Sequence, residues 1–205
     1  VRHASFGAGG MAGADLGEIT NHPKVKLICV ADVDRGRAEA LKKRFPDLRV
    51  YGDWRKLLDA EAKNLDSVNV STPDHMHASI GMSAMQRGLH VYGQKPLTHD
   101  VYDSRQLAKY AAEKKLVTQM GIQIHSDVTY RSAVMLIQGG AIGKVQSVHS
   151  WSEKRWGDGD PRPDRTDPVP EGFDWDQWLG VCESRPFIGG GYYHPGNWRK
   201  RLDFG

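Results

Sequence analysis

Short β-type runs and helix-type stretches take turns along the first 120 residues of this 205-residue chain. The β-type runs end at Gly, Pro, Asp or Asn, and the stretches between them carry apolar residues at helical spacing. Such alternation predicts βαβ units, that is, a parallel sheet with helices on both faces. The predicted strands are 1–7, 25–32, 65–72, 89–93 and 116–121, and the predicted helices are 11–22, 36–45, 53–62, 77–88 and 101–115.

The pattern changes after about residue 122. A helix is predicted at 130–138, ended by Gly139 and Gly140, and residues 145–151 alternate like a strand with one solvated face. Residues 153–200 are then irregular and dense in Gly, Pro, Asp and Trp, with a short helix at 174–180. So long a loop-like stretch in a compact fold is usually functional. The sequence therefore predicts a first domain at 1–121 and, at 122–205, the first part of a second α/β domain.

The composition excludes several classes of function. A hydrophobic fraction of 39% suits one domain and part of another. The net charge of +3 is spread without a block of like charges, which does not favour nucleic acid as a partner. The chain has no run of eighteen apolar residues and no basic-then-apolar leader at its start, so we expect no membrane span and a cytoplasmic location by default, with export of an uncut precursor left open. Cys29 and Cys182 are predicted free thiols.

A glycine-rich turn follows the first predicted strand. Gly7, Gly9 and Ala12 have the spacing G-x-G-x-x-[G/A], with Gly10 and Met11 between them. In this motif the first glycine permits a tight turn, the second lets the backbone approach a pyrophosphate, and the small third residue lets helix and strand pack closely. The helix N-terminus adds N–H groups and a favourable dipole for the phosphates.

Asp32 ends the second predicted strand, 20 residues beyond Ala12. That is the separation expected for a carboxylate that binds the adenosine ribose hydroxyls. Together with the turn, it predicts a doubly wound dinucleotide-binding fold of the Rossmann type. The alternative is a glycine turn with an N-capping acid. Asp32 would repel a 2′-phosphate, which favours NAD over NADP, whereas Arg35 nearby is of a type that pairs with that phosphate.

Several motifs resemble those of the Gfo/Idh/MocA family, the oxidoreductases related to glucose–fructose oxidoreductase and inositol dehydrogenase. They spread over the whole chain in the family's order. The matching segments are "VADVD" (30–34), "STPDHMH" (71–77), "GQKPLTHD" (93–100), "MGIQIH" (120–125), "GAIGKVQSV" (140–148) and "NWR" (197–199). The resemblance implies an N-terminal Rossmann domain followed by an α/β domain with a large open sheet. It also implies a homo-oligomer, a dimer or tetramer formed through that sheet.

The resemblance gives Lys95 and Pro96 a role. In the family a Glu-Lys-Pro motif follows the fourth long strand, its proline is typically cis, and its lysine points at the substrate hydroxyl beside the nicotinamide. This chain has Gln94 where the family usually has glutamate. A neutral amide stabilises a neighbouring ammonium less than a carboxylate does, although it still donates and accepts hydrogen bonds. Lys95 is the candidate base for the hydroxyl proton, and a solvated lysine at a turn is the alternative.

Further cofactor contacts are implied by the same resemblance. They are Ser71, Thr72, Pro73 and His75 after the third long strand, Gln94, Lys95 and Pro96 after the fourth, Gln123 at the entry to the second domain, and Trp198 with Arg199. Asp74 is equally suited to cap the next helix. His75 and His77 are two positions apart and would face different ways on a helix, so no metal site is predicted. For Gln123 and His125 the alternative is a solvated connection.

The family adds an aspartate and a histidine about four residues apart on a helix of the second domain, shortly after Trp-Arg and a glycine turn. That segment would follow Gly205. His194 precedes Trp198 and therefore does not match the family histidine; it is a candidate substrate contact, with a surface histidine as the alternative. Aromatic residues crowd the last third and would either stack on sugar rings or fasten an irregular loop. They are Trp151, Trp156, Trp175, Trp178, Tyr192, Tyr193 and Trp198.

Three functions follow as hypotheses. The first is an NAD(H)-dependent oxidoreductase acting on a secondary alcohol of a sugar, polyol or sugar derivative. The second is a glycosidase-like enzyme that oxidises its substrate transiently and regenerates the cofactor, so that no net NADH is released. The third is a dinucleotide-binding protein without catalysis, a sensor or partner subunit, for which Gln94 is the main support.

Overall fold

The computed structural model describes residues 1–154, 157 and 159–205, so Trp156 lies outside the described residues. Its centre is one parallel sheet of six strands in the order β3-β2-β1-β4-β5-β6. The strands are β1 Arg2–Phe6, β2 Lys26–Ala31, β3 Arg49–Tyr51, β4 Ser67–Val70, β5 His90–Gln94 and β6 Thr118–Gly121. This is the doubly wound order, which confirms the predicted fold class of the first domain.

Helices connect the strands and follow the last of them. They are α1 Met11–Asn21, α2 Arg35–Ala40, α3 Trp54–Glu61, α4 His77–Gln86, α5 Val101–Lys114, α6 Val128–Gln138 and α7 Trp175–Leu179. Successive β2 residues serve different cores, since Val30 packs with α1 and α2 while Cys29 and Ala31 pack with α3 and α4. Burial on both faces explains why β2 is a nearly continuous apolar run. Within the described part of the chain, no helix has the length and apolar character to cross a membrane.

The topology fixes where a ligand can bind. From β1 the chain builds outward through β2 to β3, then crosses back to β4 on the other side of β1. The connections that leave β1 and β4 therefore diverge and open a crevice at the carboxyl ends of these two strands. The glycine-rich turn and residues 71–73 lie at that point, directly after β1 and β4.

Two local predictions differ from the structure. The three-residue strand β3 lies at the sheet edge and is too short to give a sequence pattern. The strand predicted at 145–151 is absent, because a strand needs a hydrogen-bonded neighbour and this exposed segment has none among the described residues. Helix α6 forms as predicted but buries no side chain.

The end of the chain packs on the carboxyl edge of the sheet through what we call the aromatic cluster. Its buried members are Trp175, Trp178, Leu179, Phe187, Ile188, Tyr193, Trp198 and Phe204. Backbone hydrogen bonds join this segment to the turn after β2, from Asp174 N–H to the Val33 carbonyl and from Arg35 N–H to the Gly172 carbonyl, both 2.9 Å. The predicted division at residue 122 stays a prediction.

Candidate functional site

A single crevice gathers most of the predicted site residues at the carboxyl ends of β1 and β4. One wall is formed by the glycine-rich turn and the segment after β4, and the facing wall by the end of the chain. The predicted residues that line it are Gly7, Gly9, Gly10, Met11, Asp32, Ser71, Thr72, Pro73, His194, Trp198 and Arg199. Segments far apart in sequence therefore meet where a dinucleotide is expected.

The glycine-rich turn has the geometry that its motif predicts. Gly7 has a φ of 104°, and a Cβ there would lie 2.8 Å from the Ser71 carbonyl oxygen and 3.0 Å from the Ala12 Cβ. A side chain at position 7 would thus be strained and would clash with backbone. Ala12 is fully buried beneath the turn and does not line the crevice. Gly10, with a φ of 53°, stands at the N-terminus of α1 without a side-chain cap, which leaves that end open to a ligand.

Asp32 lies at the adenosine end expected for this fold. Its carboxylate accepts hydrogen bonds from the backbone N–H groups of Ala8 and Asp34, both at 2.8 Å. Burial raises the pKa of Asp32, and these two backbone donors oppose the shift. The carboxylate is thereby fixed next to the glycine-rich turn, where ribose hydroxyls can reach it.

Arg37 is a crevice residue that the sequence reasoning missed. Its side chain covers Gly9, where an added Cβ would meet Arg37 Cδ at 2.8 Å, and its Nε pairs with an Asp34 oxygen at 3.0 Å. Arg35, the arginine singled out from sequence, points into a separate hollow beside β3 and does not line the crevice. No local pattern could have found Arg37, because only the position of α2 beside the turn brings its side chain over Gly9.

The segment after β4 is held by a buried histidine. Both ring nitrogens of His77 lie next to backbone carbonyl oxygens, Nδ1 at 2.7 Å from Pro96 and Nε2 at 2.8 Å from Thr72. His77 therefore ties the turn after β5, which carries Lys95, to the turn after β4. Its contacts are with backbone, so it serves as a structural link between the two turns.

Lys95 lies at the edge of this arrangement. The Lys95–Pro96 peptide bond is cis and the lysine side chain is exposed. Asp74 is close by: burial raises its pKa, and the nearby charges of His77, Arg199 and Lys95 lower it. Asp74 thus interacts electrostatically with both Lys95 and Arg199, at the end of the crevice that residues 71–73 form. Gln94 is buried just behind Lys95, at the end of β5.

Other predicted residues lie outside the crevice. His75 is buried under the aromatic cluster, where its Nε2 donates to the Trp178 carbonyl at 2.9 Å and its ring packs edge-on against Phe204. Burial lowers the pKa of His75 to about 4. Gln123 is exposed and reaches the Met11 sulfur at 3.4 Å, and His125 stacks on Tyr130. His75 thus holds the end of the chain instead of facing the crevice.

The aromatic residues of the last third divide between two roles. Trp178 and Trp198 line the crevice, with the Arg199 guanidinium 4.1 Å from the centre of the Trp198 ring. Trp175 and Tyr193 are buried in the aromatic cluster, which favours the role of fastening the loop, and Trp151 is 83% exposed.

His194 faces the crevice from the adenosine side. Its ring stacks on Phe173, and its two ring nitrogens have no hydrogen-bond partner among the described residues. Burial lowers the pKa of His194; Arg37 lowers it further, while Asp34 opposes the shift. It therefore lies apart from Lys95 and closer to Asp32.

The residues present fit a dinucleotide. The glycine cradle at Gly7 would be filled by any side chain, the open N-terminus of α1 suits a pyrophosphate, and Asp32 suits a ribose. No group of three or more metal-ligating side chains is found among the residues that the structure describes.

Known proteins are similar to this chain in sequence and in fold. The scyllo-inositol 2-dehydrogenase (NAD(+)) of Bacillus subtilis strain 168 is 29% identical over 126 residues, which are 62% of this chain and 36% of that protein. The inositol 2-dehydrogenase of Rhodococcus jostii strain RHA1 is 33% identical over 153 residues, 73% of this chain and 41% of that protein. The crystal structure of myo-inositol 2-dehydrogenase from Lactobacillus plantarum superposes with a TM-score of 0.65 at 26% identity, over 71% of this chain and 43% of that one.

The chain spans about two fifths of the length of these relatives. Residues 1–122 match the sequence pattern of the Gfo/Idh/MocA group, described as an oxidoreductase family with an NAD-binding Rossmann fold. This agrees with the resemblance, the enzyme class and the NAD cofactor predicted from the sequence. The chain belongs to the Gfo/Idh/MocA family of NAD-binding oxidoreductases.

Proposed function

We propose that this chain carries the cofactor-binding half of an NAD(H)-dependent oxidoreductase that acts on a secondary alcohol of a sugar or polyol. The observation that carries the proposal is the position of Lys95, on a cis-proline turn that His77 ties to residues 71–73, where the nicotinamide is expected. The relatives named above support a polyol substrate, since their names are those of inositol dehydrogenases.

Each part of the crevice has a task in the proposed reaction. Gly7 and the N-terminus of α1 bind the pyrophosphate, and Asp32 accepts from the ribose hydroxyls. Bound NAD⁺ would accept the hydride from the alcohol carbon. Lys95 Nζ accepts the proton of the same hydroxyl, so that the alcohol becomes a carbonyl. Asp74 and Arg199 are the charged residues near Lys95.

NAD is the proposed cofactor in preference to NADP. A 2′-phosphate on the ribose would meet the Asp32 carboxylate, which is fixed by two backbone N–H groups. Arg37 is the nearest candidate to pair with such a phosphate, but it is engaged with Asp34. Repulsion at Asp32 therefore dominates the preference.

The first prediction is tested on the full-length protein with NAD⁺ or NADP⁺ and a panel of inositols, polyols and sugars. Absorbance of the reduced nicotinamide reports turnover, and calorimetric titration reports cofactor affinity. We expect turnover with NAD⁺, and a loss of about 100-fold or more in kcat for Lys95→Ala with NAD⁺ affinity unchanged. Lys109→Ala, an exposed lysine of α5, is the matched control and should leave both quantities unchanged.

Each contrary result removes a different part of the proposal. Retained kcat in Lys95→Ala would exclude Lys95 as the proton acceptor. NAD⁺ binding without net NADH from any substrate would favour the glycosidase-like or the non-catalytic hypothesis, and the consumption of a glycoside would separate those two. Absence of NAD⁺ binding would contradict the assignment of the crevice. The two-domain division at residue 122 remains a prediction from the sequence pattern, and a homo-oligomer of the full-length protein remains a proposal from the resemblance.

A further inference from the structure

A chain of partly buried hydrogen bonds runs along β1 and β4 and ends at one carboxylate. Ser67 Oγ lies 2.8 Å from Nδ1 of His3, and Nε2 of His3 lies 3.1 Å from the Asn69 side-chain oxygen. The Asn69 amide donates to Ser71 Oγ at 2.9 Å, and Ser71 Oγ donates to Asp15 at 2.6 Å. Because the Asn69 oxygen only accepts, every donor in this chain points toward Asp15.

Asp15 is met from the other side by Gln94. The Gln94 amide nitrogen donates to both Asp15 oxygens, at 3.0 and 3.1 Å, and its carbonyl oxygen accepts from the backbone N–H of Lys95 at 3.0 Å. Asp15 is 6% exposed and Gln94 is 3% exposed. Thus Gln94 joins the carboxylate on α1 to the backbone of the residue that carries the proposed base.

The neighbours of Asp15 and Gln94 suit an acceptor at position 15 and a donor at position 94. Every polar partner of Asp15 described above donates to it, so the side chain at position 15 serves as a hydrogen-bond acceptor. Burial and the charge of Asp15 raise the pKa of neighbouring Tyr92. At Gly121 a Cβ would lie 3.0 Å from the Gln94 amide nitrogen, so the glycine leaves room for that side chain.

A glutamate at position 94, the residue usual in the family, would not fit here. Its oxygens would stand about 3 Å from those of Asp15 with no hydrogen between them, by the distances that the Gln94 amide occupies. Two carboxylates at that distance cannot both remain ionised in a buried site. The amide at position 94 therefore matches the acid at position 15.

We propose that Asp15 and Gln94 are a matched pair that positions Lys95, with the buried negative charge placed on α1 at Asp15 and a neutral donor at position 94. The positioning role rests on the proposed function, because it matters for catalysis only if Lys95 accepts the proton. The pairing itself, and its hold on the Lys95 backbone, are independent of any reaction.

The second prediction is tested by exchanging the two groups. Gln94→Glu alone should lower kcat about 10- to 100-fold by displacing Lys95, with a smaller change in the affinity for NAD⁺. The double variant Asp15→Asn/Gln94→Glu reverses donor and acceptor and should restore kcat to within a few-fold of wild type. Gln86→Glu, the same change at an exposed position at the end of α4, is the control and should have no effect.

Two readouts separate a positioning role from a general loss of structure. In Gln94→Glu the activity should recover toward acid pH, because one shared proton restores a donor between the two carboxyl groups. Hydrogen exchange of the Lys95 amide should be about tenfold faster or more in Gln94→Glu and should return to the wild-type rate in the double variant. This measurement needs no substrate.

The outcomes are distinguishable from those for the function. If the wild type binds NAD⁺ without turnover while the Lys95 amide follows this pattern, the pairing stands and the catalytic role of Lys95 fails. The proposal is overturned if Gln94→Glu has the wild-type hydrogen-exchange rate at the Lys95 amide and the wild-type kcat. It is also overturned if the double variant recovers neither quantity relative to Gln94→Glu.

Discussion

The sheet of residues 1–121 and the aromatic cluster at the end of the chain are both well packed, but they are built on different kinds of contact. Every strand after β1 follows a helix, and except for the short β3 each strand shows its pattern directly in the sequence. The aromatic cluster includes one five-residue helix and otherwise irregular backbone, held by side chains such as Trp175 and Phe204. The comparison shows that regular elements position the glycine-rich turn, while side-chain packing positions the wall that faces it.

The two regions also depend on each other unequally. The cluster packs against Val33, and it forms hydrogen bonds with His75 and with the turn after β2. The main sheet core has no member from the cluster segment. We therefore expect the cluster to open without the sheet, but not to persist once the sheet unfolds.

The third prediction, which has the largest expected effect on global stability, concerns the sheet core. Leu57 of α3 is fully buried in the main core, so Leu57→Ala should lower the free energy of unfolding by about 2–5 kcal/mol. Because the cluster depends on the sheet, tryptophan fluorescence and far-ultraviolet circular dichroism should shift together in a denaturant titration. A fluorescence transition that stays at the wild-type midpoint would break the comparison.

The fourth prediction concerns a substitution in the aromatic cluster instead of the sheet core. Phe204 is fully buried in the cluster and does not line the crevice, so Phe204→Ala should cost the cluster about 3–5 kcal/mol of local stability. Hydrogen exchange should then rise at residues 173–204 while amides of β1 and β4 stay protected. NAD⁺ affinity should fall because Trp178 and Trp198 lose their support.

Exposed Leu202→Ala is the control for that experiment, since it changes the same segment without touching the core. Loss of protection in β1 together with the cluster, in Phe204→Ala, would show that the two regions form one cooperative unit.

Sequence patterns locate the site much better than they locate its walls. Gly7, Asp32 and the Lys95–Pro96 turn could be placed in advance, because a strand, a turn and a helix in sequence fix them relative to the sheet. The contacts of His75 with Trp178, 103 residues away, have no local pattern that would reveal them. The same holds for Arg37 over Gly9, whose role depends on how α2 lies beside the turn.

The partner of Gln94 shows the same limit. A glutamine in place of glutamate at position 94 can be noticed in the sequence, but Asp15 lies on α1, 79 residues earlier, and only the fold brings the two together. Sequence alone therefore showed that a charge was missing from β5, and the structure shows a carboxylate supplied by another element. Residue types can be compared within a motif, whereas charge balance needs the three-dimensional neighbours.

The fifth prediction has the smallest expected effect and uses pH to compare the two regions. Burial lowers the pKa of His75 in the cluster to about 4, and that of His3 in the sheet to about 4 as well. Both pKa values in the folded protein lie below the ordinary value of 6.5. Each neutral ring therefore makes its full contribution to the free energy of unfolding above pH 6.5, and that contribution is lost as the pH falls from 6.5 to 4. The loss is about 1.4 kcal/mol per pH unit for each ring.

His75→Gln keeps a donor for the Trp178 carbonyl but does not titrate. It should therefore remove about 1.4 kcal/mol per pH unit from the acid dependence of the cluster, followed by tryptophan fluorescence. The acid dependence of the sheet, followed by circular dichroism, should remain because His3 is unchanged. His3→Gln should instead reduce the acid dependence of both signals, because the cluster is not expected to persist once the sheet unfolds. If His75→Gln leaves the fluorescence transition as sensitive to acid as in wild type, then protonation of His75 does not release the cluster, and other titrating groups must account for the dependence. If His75→Gln changed both signals equally, the cluster and the sheet would share their stability. The packing of Phe204 in the cluster and of Leu57 in the main core, two separate sets of contacts, argues against that result.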